Sequence, residues 1–286
     1  MLTSILPPLL PSDSILFDYY DEDLHSFNVN GKNQRGENGT QQPRLSITST
    51  CFSILALQTQ APHCHKKIIK NSYSSVLLAD WRETDLFQAP LVLKTILKGL
   101  RDQNETTKFL SRCPESVKQK IPRLIISLIE SRPRRRDGKK QKLSCYISYQ
   151  ITAALALLHE EFDTFPPDLL PPDVLEELEL ALVRSSEVAH DALCRQLAFS
   201  AANDYTSYDP TKLIYSLLAY VVTSPQKMRK LPQLPVLNMH IVRLAVTNYF
   251  STQKSNGYFP RGQALQDDKG EKRHSEQLCV LTRHGD

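Results

Sequence analysis

Hydrophobic and polar positions along this chain follow a helical period over most of its length. In SITSTCFSILALQ, residues Ile47, Cys51, Ile54, Leu55 and Leu57 fall at three- and four-residue steps, and Ser46 stands where a cap belongs. A second apolar run, LFQAPLVLKTILKGL, follows Asp85, with Pro90 either opening or kinking its helix and Gly99 near its end. Pro122 opens RLIISLIES, which Pro133 ends. The segment 145–162 is apolar almost all round, as suits a helix buried on every side. Residues 171–201 differ. Leu175, Leu178, Leu182, Ala189, Leu193 and Leu197 make one stripe, acids fill the opposite face, and Asp173 with Glu176 resembles a capping box. Asp209-Pro210 opens another all-round apolar segment, TKLIYSLLAYVV. A last helix is expected from about Val236 to Gln253, ending at Ser255-Asn256-Gly257.

These are seven helical segments, and no strand pattern stands beside them. The expected fold class is all-α. Wholly apolar helices alternate with amphipathic ones, which suits inner helices packed against outer ones. The starts of SITSTCFSILAL, SYQITAALALL and DPTKLIYSLLAYV are alike, a faint repeat that suggests stacked helix pairs. The expected division is an N-terminal segment and polar loop over 1–45, a helical domain over 46–262 and a polar tail over 263–286.

Composition sharpens this picture. Only 9 of 286 residues are glycine, well below the usual ~7%. That disfavours glycine-rich phosphate loops and turn-dense β folds. The net charge of +4 is local in origin. The run 132–142 (RPRRRDGKKQK) contributes +6, which leaves the rest of the chain at −2. Residues 160–187 carry nine acids and one arginine. Nucleic-acid binding is therefore disfavoured, because the single basic run has no interleaved aromatics and no second patch. It reads as a solvated loop, or as a docking point for an acidic partner. The six cysteines form no CxxC pair and no repeating spacing, which suits reduced thiols and a cytoplasmic setting. The longest apolar stretches are about half a membrane span, so no spanning segment is expected.

One short motif stands apart. In YFSTQKSNGYFP (249–260), a helix ending in Tyr249-Phe250 runs into Gln253, Gly257 and Phe259. This resembles the glutamine–tryptophan repeat of terpenoid cyclases and protein-prenyltransferase β-subunits, with Phe259 where tryptophan is usual. The resemblance implies an α/α toroid over about 47–262. With seven helices against about twelve for a full ring, it would be open or incomplete. The catalytic motifs of these families do not carry over. Their Asp-x-Asp-Asp proton donor has its nearest counterpart in DYYDED, where Asp18, Asp21, Glu22 and Asp23 are differently spaced. Their zinc-holding Asp-x-Cys pair has its nearest counterpart in Asp191 and Cys194, one residue too far apart, and Cys194 reads as a small packing residue. His63-Cys64-His65 lacks a second ligand pair and reads as a loop. No metal and no cofactor are expected.

The resemblance therefore implies a non-enzymatic module that binds a hydrophobic small molecule or a protein. The alternative is a divergent isoprenoid-type cyclase or transferase using a buried carboxylate as proton donor. Candidate ligand-binding residues lie in two segments that precede helices. Trp81, Arg82 and Asp85 come from DWRETD, and Asp204, Tyr208 and Asp209 from DYTSYDP. In a toroid both would border the cavity mouth. Equally, Trp81 suits an anchor to the core, with Arg82 paired to an acid, and Asp209 a helix cap.

Overall fold

The computed structural model describes residues 19–27, 45–60, 66–103, 114–131, 143–165, 170, 173–202, 210–223, 238–251, 253, 259–260 and 276–277. The described residues are predominantly α-helical, as the periodicity implies. The chain divides into two compact units, Met1–Asn104 and Glu105–Asp286.

Among its described residues, the first unit contains a short antiparallel hairpin, β1 (Tyr20–Asp21) and β2 (Ser26–Phe27), and three helices, α1 (Ile47–Gln60), α2 (Lys66–Leu78) and α3 (Ala89–Gln103). The three helices pack on one another, and β2 lies against α1 and α2. In α1, the expected Cys51, Ile54 and Leu57 form the buried stripe. The β1–β2 hairpin is a small strand pair within the all-α class. It is too short for alternation to show. Its turn is closed by the Asp21 carboxylate, which accepts the amides of Asp23 and Leu24, each at 3.0 Å. His25 completes the turn at φ 49°, a left-handed conformation. Thr50 then ties the hairpin to α1. Its hydroxyl oxygen accepts the Phe27 amide at 3.1 Å, and its own proton goes to the Ser46 carbonyl at 2.7 Å.

Helix α2 was not evident from the hydrophobic pattern. Its inward positions step from Ile68 and Ile69 to Ser72 and Tyr73, then to Val76 and Leu77. The polar Ser72–Tyr73 step interrupts the apolar signal, yet both residues are buried. Tyr73 crosses to α3, where its hydroxyl reaches the Ile96 carbonyl at 3.4 Å. Gly99 lies four residues before the end of α3, and the Tyr73 ring occupies the space a side chain there would need.

The second unit contains α4 (Glu115–Ile129), α5 (Cys145–Glu160), α6 (Asp173–Ala202), α7 (Pro210–Val222) and α8 (Met239–Ser251). A single 3₁₀ turn, Phe162–Thr164, follows α5. Helix α4 begins seven residues before Pro122, so this proline lies inside the helix instead of opening it. Pro90 and Pro210, by contrast, stand in the first turns of α3 and α7, where no intrahelical amide is lost. Helix α7 packs against α5, α6 and α8. The two helices expected to be apolar all round, α5 and α7, are buried on most of their faces. In α5 the hydroxyl of Thr152 is satisfied by the Ser148 carbonyl at 2.8 Å, which lets a polar residue sit in the interior. Helix α6, about 45 Å long at 1.5 Å per residue, buries a single stripe of Leu178, Leu182, Ser186, Ala189 and Leu193. After α8, Phe259–Pro260 pairs antiparallel with Glu276–Gln277, so part of the expected polar tail returns to the segment before it.

Candidate functional site

The six sequence-derived candidates have separate placements. Trp81 is 1% exposed, in the core of the first unit, while Arg82 is exposed. The Asp85 carboxylate accepts the amides of Phe87 at 3.0 Å and Gln88 at 3.3 Å, and its carbonyl accepts the amide of Ala89 at 2.8 Å. It therefore shapes the turn that starts α3. Asp204, Tyr208 and Asp209 lie outside the described residues, as do Asp18, the 63–65 cluster, the basic run 132–142 and Gly257. Of the other acids in DYYDED, Asp21 holds the hairpin turn, and Glu22 and Asp23 are exposed. At the 249–260 motif, Tyr249 is buried, Phe250 is exposed, and the Gln253 amide closes on the Phe250 carbonyl at 3.1 Å.

A different constellation forms in the second unit, where α6, α7 and α8 meet. His190 and Cys194 are one turn apart on α6, and Cys194 Sγ lies 3.6 Å from His190 Nε2. On the other side of the imidazole, Nδ1 is 3.8 Å from the Asp191 carboxylate. The ring packs against Tyr220 of α7, with centroids 5.3 Å apart at 52°. Tyr220 in turn accepts the Asn238 amide at 3.1 Å through its hydroxyl. Asn238 caps α8, its side-chain oxygen accepting the amides of His240 at 3.0 Å and Ile241 at 3.4 Å. Thus one tyrosine links the His190–Cys194 pair to the start of α8. The sequence signal for the pair was a histidine four residues before a cysteine, a spacing that places both on one helical face. Attention to Asp191 and Cys194 alone missed it.

Helix α8 presents two kinds of surface. Ala245 and Tyr249 are buried against the unit core, with Ile241 and Val242 packed beside them. On another face, Met239, Val246 and Phe250 are 49%, 38% and 48% exposed, with the exposed Arg243 among them. Their spacing of seven and four residues aligns them along one stripe.

Other buried chemistry serves packing between helices. His159 of α5 donates from Nε2 to Glu179 of α6 at 3.2 Å. Tyr146 and Tyr149 of α5 meet Tyr215 of α7, with ring centroids 5.1 and 5.8 Å apart. Burial first, and the neighbouring Tyr215 second, push both α5 hydroxyls up to about 12. In the first unit, burial pushes the Cys51 thiol up to about 12. Burial, with a smaller effect of Lys98, lowers the Lys94 ammonium to about 8. Among the described residues, no helix is long and apolar enough to cross a membrane. The chain matches no family model, no curated protein and no solved structure.

Proposed function

We propose that this chain is a non-enzymatic, protein-binding helical module, with the outer face of α8 as its contact surface. The observation that carries this reading is the stripe of Met239, Val246 and Phe250 around Arg243. Three apolar side chains at helical spacing, with one cation among them, suit the groove or helix of another protein better than water. The placement of the acids supports the non-enzymatic part. A carboxyl that donates a proton near neutral pH must be buried. Among the described residues, Glu22 and Asp23 lack that burial, and Asp21 and Asp85 serve backbone turns; the other candidate donors, Asp18, Asp204 and Asp209, lie outside the described residues.

The scaffold in this proposal is the α/α toroid kind of helix pairing. Support comes from α5 and α7, which are buried on most faces and pack together, and from α6, which has one buried stripe beside them. The test is a photo-crosslinking residue at position 246 of the full chain, expressed in its cell of origin. A discrete heavier adduct is expected, lost when Phe250→Asp is added while the melting temperature is kept. Absence of any adduct, or an adduct indifferent to Phe250→Asp, rejects this surface.

A further inference from the structure

We infer that His190 and Cys194 form a two-ligand site for a zinc-class divalent ion on α6. The proposal does not depend on the partner surface of α8. Geometry is the first support. Zinc holds thiolate sulfur at about 2.3 Å and imidazole nitrogen at about 2.0–2.1 Å, so a tetrahedral angle sets the two donor atoms about 3.5 Å apart. Cys194 Sγ and His190 Nε2 are already 3.6 Å apart. A thiol–imidazole hydrogen bond has this same spacing, whereas a linear two-coordinate ion would hold the donors farther apart.

The surroundings of the imidazole are the second support. A metal-binding histidine needs a lone pair on one nitrogen and a partner for the N–H on the other. The Asp191 carboxylate lies 3.8 Å from Nδ1, beyond direct hydrogen-bond reach, so its negative charge acts on the imidazole through space. Tyr220, from a separate helix, packs on the ring. Access is the third. His190 is 36% exposed on its side chain, and Cys194 is half-buried, so an ion can reach both.

An Asp–His–Cys arrangement also suggests a thiol nucleophile, but the backbone opposes it. Acyl transfer needs free N–H groups aimed at the developing oxyanion. Residues 190–194 lie in the middle of a 30-residue helix, where amides are committed to the helical ladder. No three metal-ligating side chains converge among the described residues. In this proposal His190 and Cys194 are the ion's ligands among the described residues, and water fills the positions that no side chain takes. Binding exchanges two waters of the hydrated ion for sulfur and nitrogen, and the thiol proton passes to solvent.

The test uses the full chain, reduced, titrated with cobalt(II) as a coloured substitute for zinc. One equivalent should produce a thiolate-to-cobalt charge-transfer band in the near ultraviolet, and zinc should displace it. Cys194→Ser should abolish the band, His190→Gln should weaken binding at least ~10-fold, and Cys64→Ser should change neither. A band that survives Cys194→Ser, or disappears with Cys64→Ser, overturns the proposal. A second measurement covers variants that fail to fold. In the unmodified chain, zinc should slow maleimide labelling of Cys194, located by peptide mapping, at least ~10-fold. Labelling unaffected by zinc overturns the site, and labelling slowed by His190→Gln without zinc would identify a thiol–base pair instead.

Discussion

The hydroxyl of Tyr220 accepts the backbone amide of Asn238 at 3.1 Å, joining α7 to the first turn of α8 across 18 residues of sequence. The same ring packs on His190 of α6. Tyr220→Phe keeps the ring and removes the acceptor. It should cost about 1 kcal/mol in urea denaturation, the net worth of one such bond. Hydrogen exchange at His240 and Ile241 should quicken with it. Unchanged exchange would show that the cap by Asn238 is sufficient alone.

Gly99 and Tyr73 are a close-packed pair in the first unit. A β-carbon on Gly99 would lie 2.6 Å from the Tyr73 ring. Gly99→Ala gains about 1 kcal/mol of helix propensity but loses about 1–3 kcal/mol to overpacking. A net loss is expected. In a Tyr73→Leu background the ring is gone, and the same change should become neutral or stabilising. A double-mutant cycle by thermal denaturation decides this, and an equal loss in both backgrounds contradicts the contact.

The Thr50 hydroxyl accepts the Phe27 amide at 3.1 Å. Thr50→Val keeps the shape and removes that acceptor, at a cost of about 1 kcal/mol. Thr50→Ser keeps the hydroxyl and should cost less than valine, since it loses only a methyl. Equal losses for the two variants would show that packing, not the bond, holds the hairpin.

Lys94 makes stability depend on pH. Its ammonium falls from the ordinary 10.5 to about 8 on folding, chiefly through burial. Between those values the unfolded chain binds more protons than the folded one, so stability rises with pH. The burial penalty is fully present below about 8 and relieved toward 10.5. Cys51, raised to about 12, acts in the opposite sense above its ordinary 9, and Tyr146 and Tyr149 do so above 10. The rise due to Lys94 should therefore be clearest from pH 8 to 9, at about 1 kcal/mol. Lys94→Met should remove the slope. A slope that persists in this variant assigns it to another group.

Helices α5, α6 and α7 were legible in the sequence because their causes are local. Apolar spacing repeats within each segment, and Pro210 occupies the first position of α7, where a proline fits the helix geometry. Asp85 was legible only as a residue near a helix start; its two amide partners lie within three residues, so short-range geometry decides its role. Helix α2 was hidden because Ser72 and Tyr73 interrupt its apolar pattern, and only packing against the hairpin and α3 gives them a buried place. Thr50 with Phe27, Tyr73 with Gly99 and Tyr220 with His190 are pairs separated by 23 to 30 residues of chain. The candidate metal pair divides the same way. The four-residue spacing of His190 and Cys194 is written in the sequence, since a helix turns once in 3.6 residues. The tyrosine that braces the imidazole comes from another helix, and only tertiary packing decides which side chain fills that space.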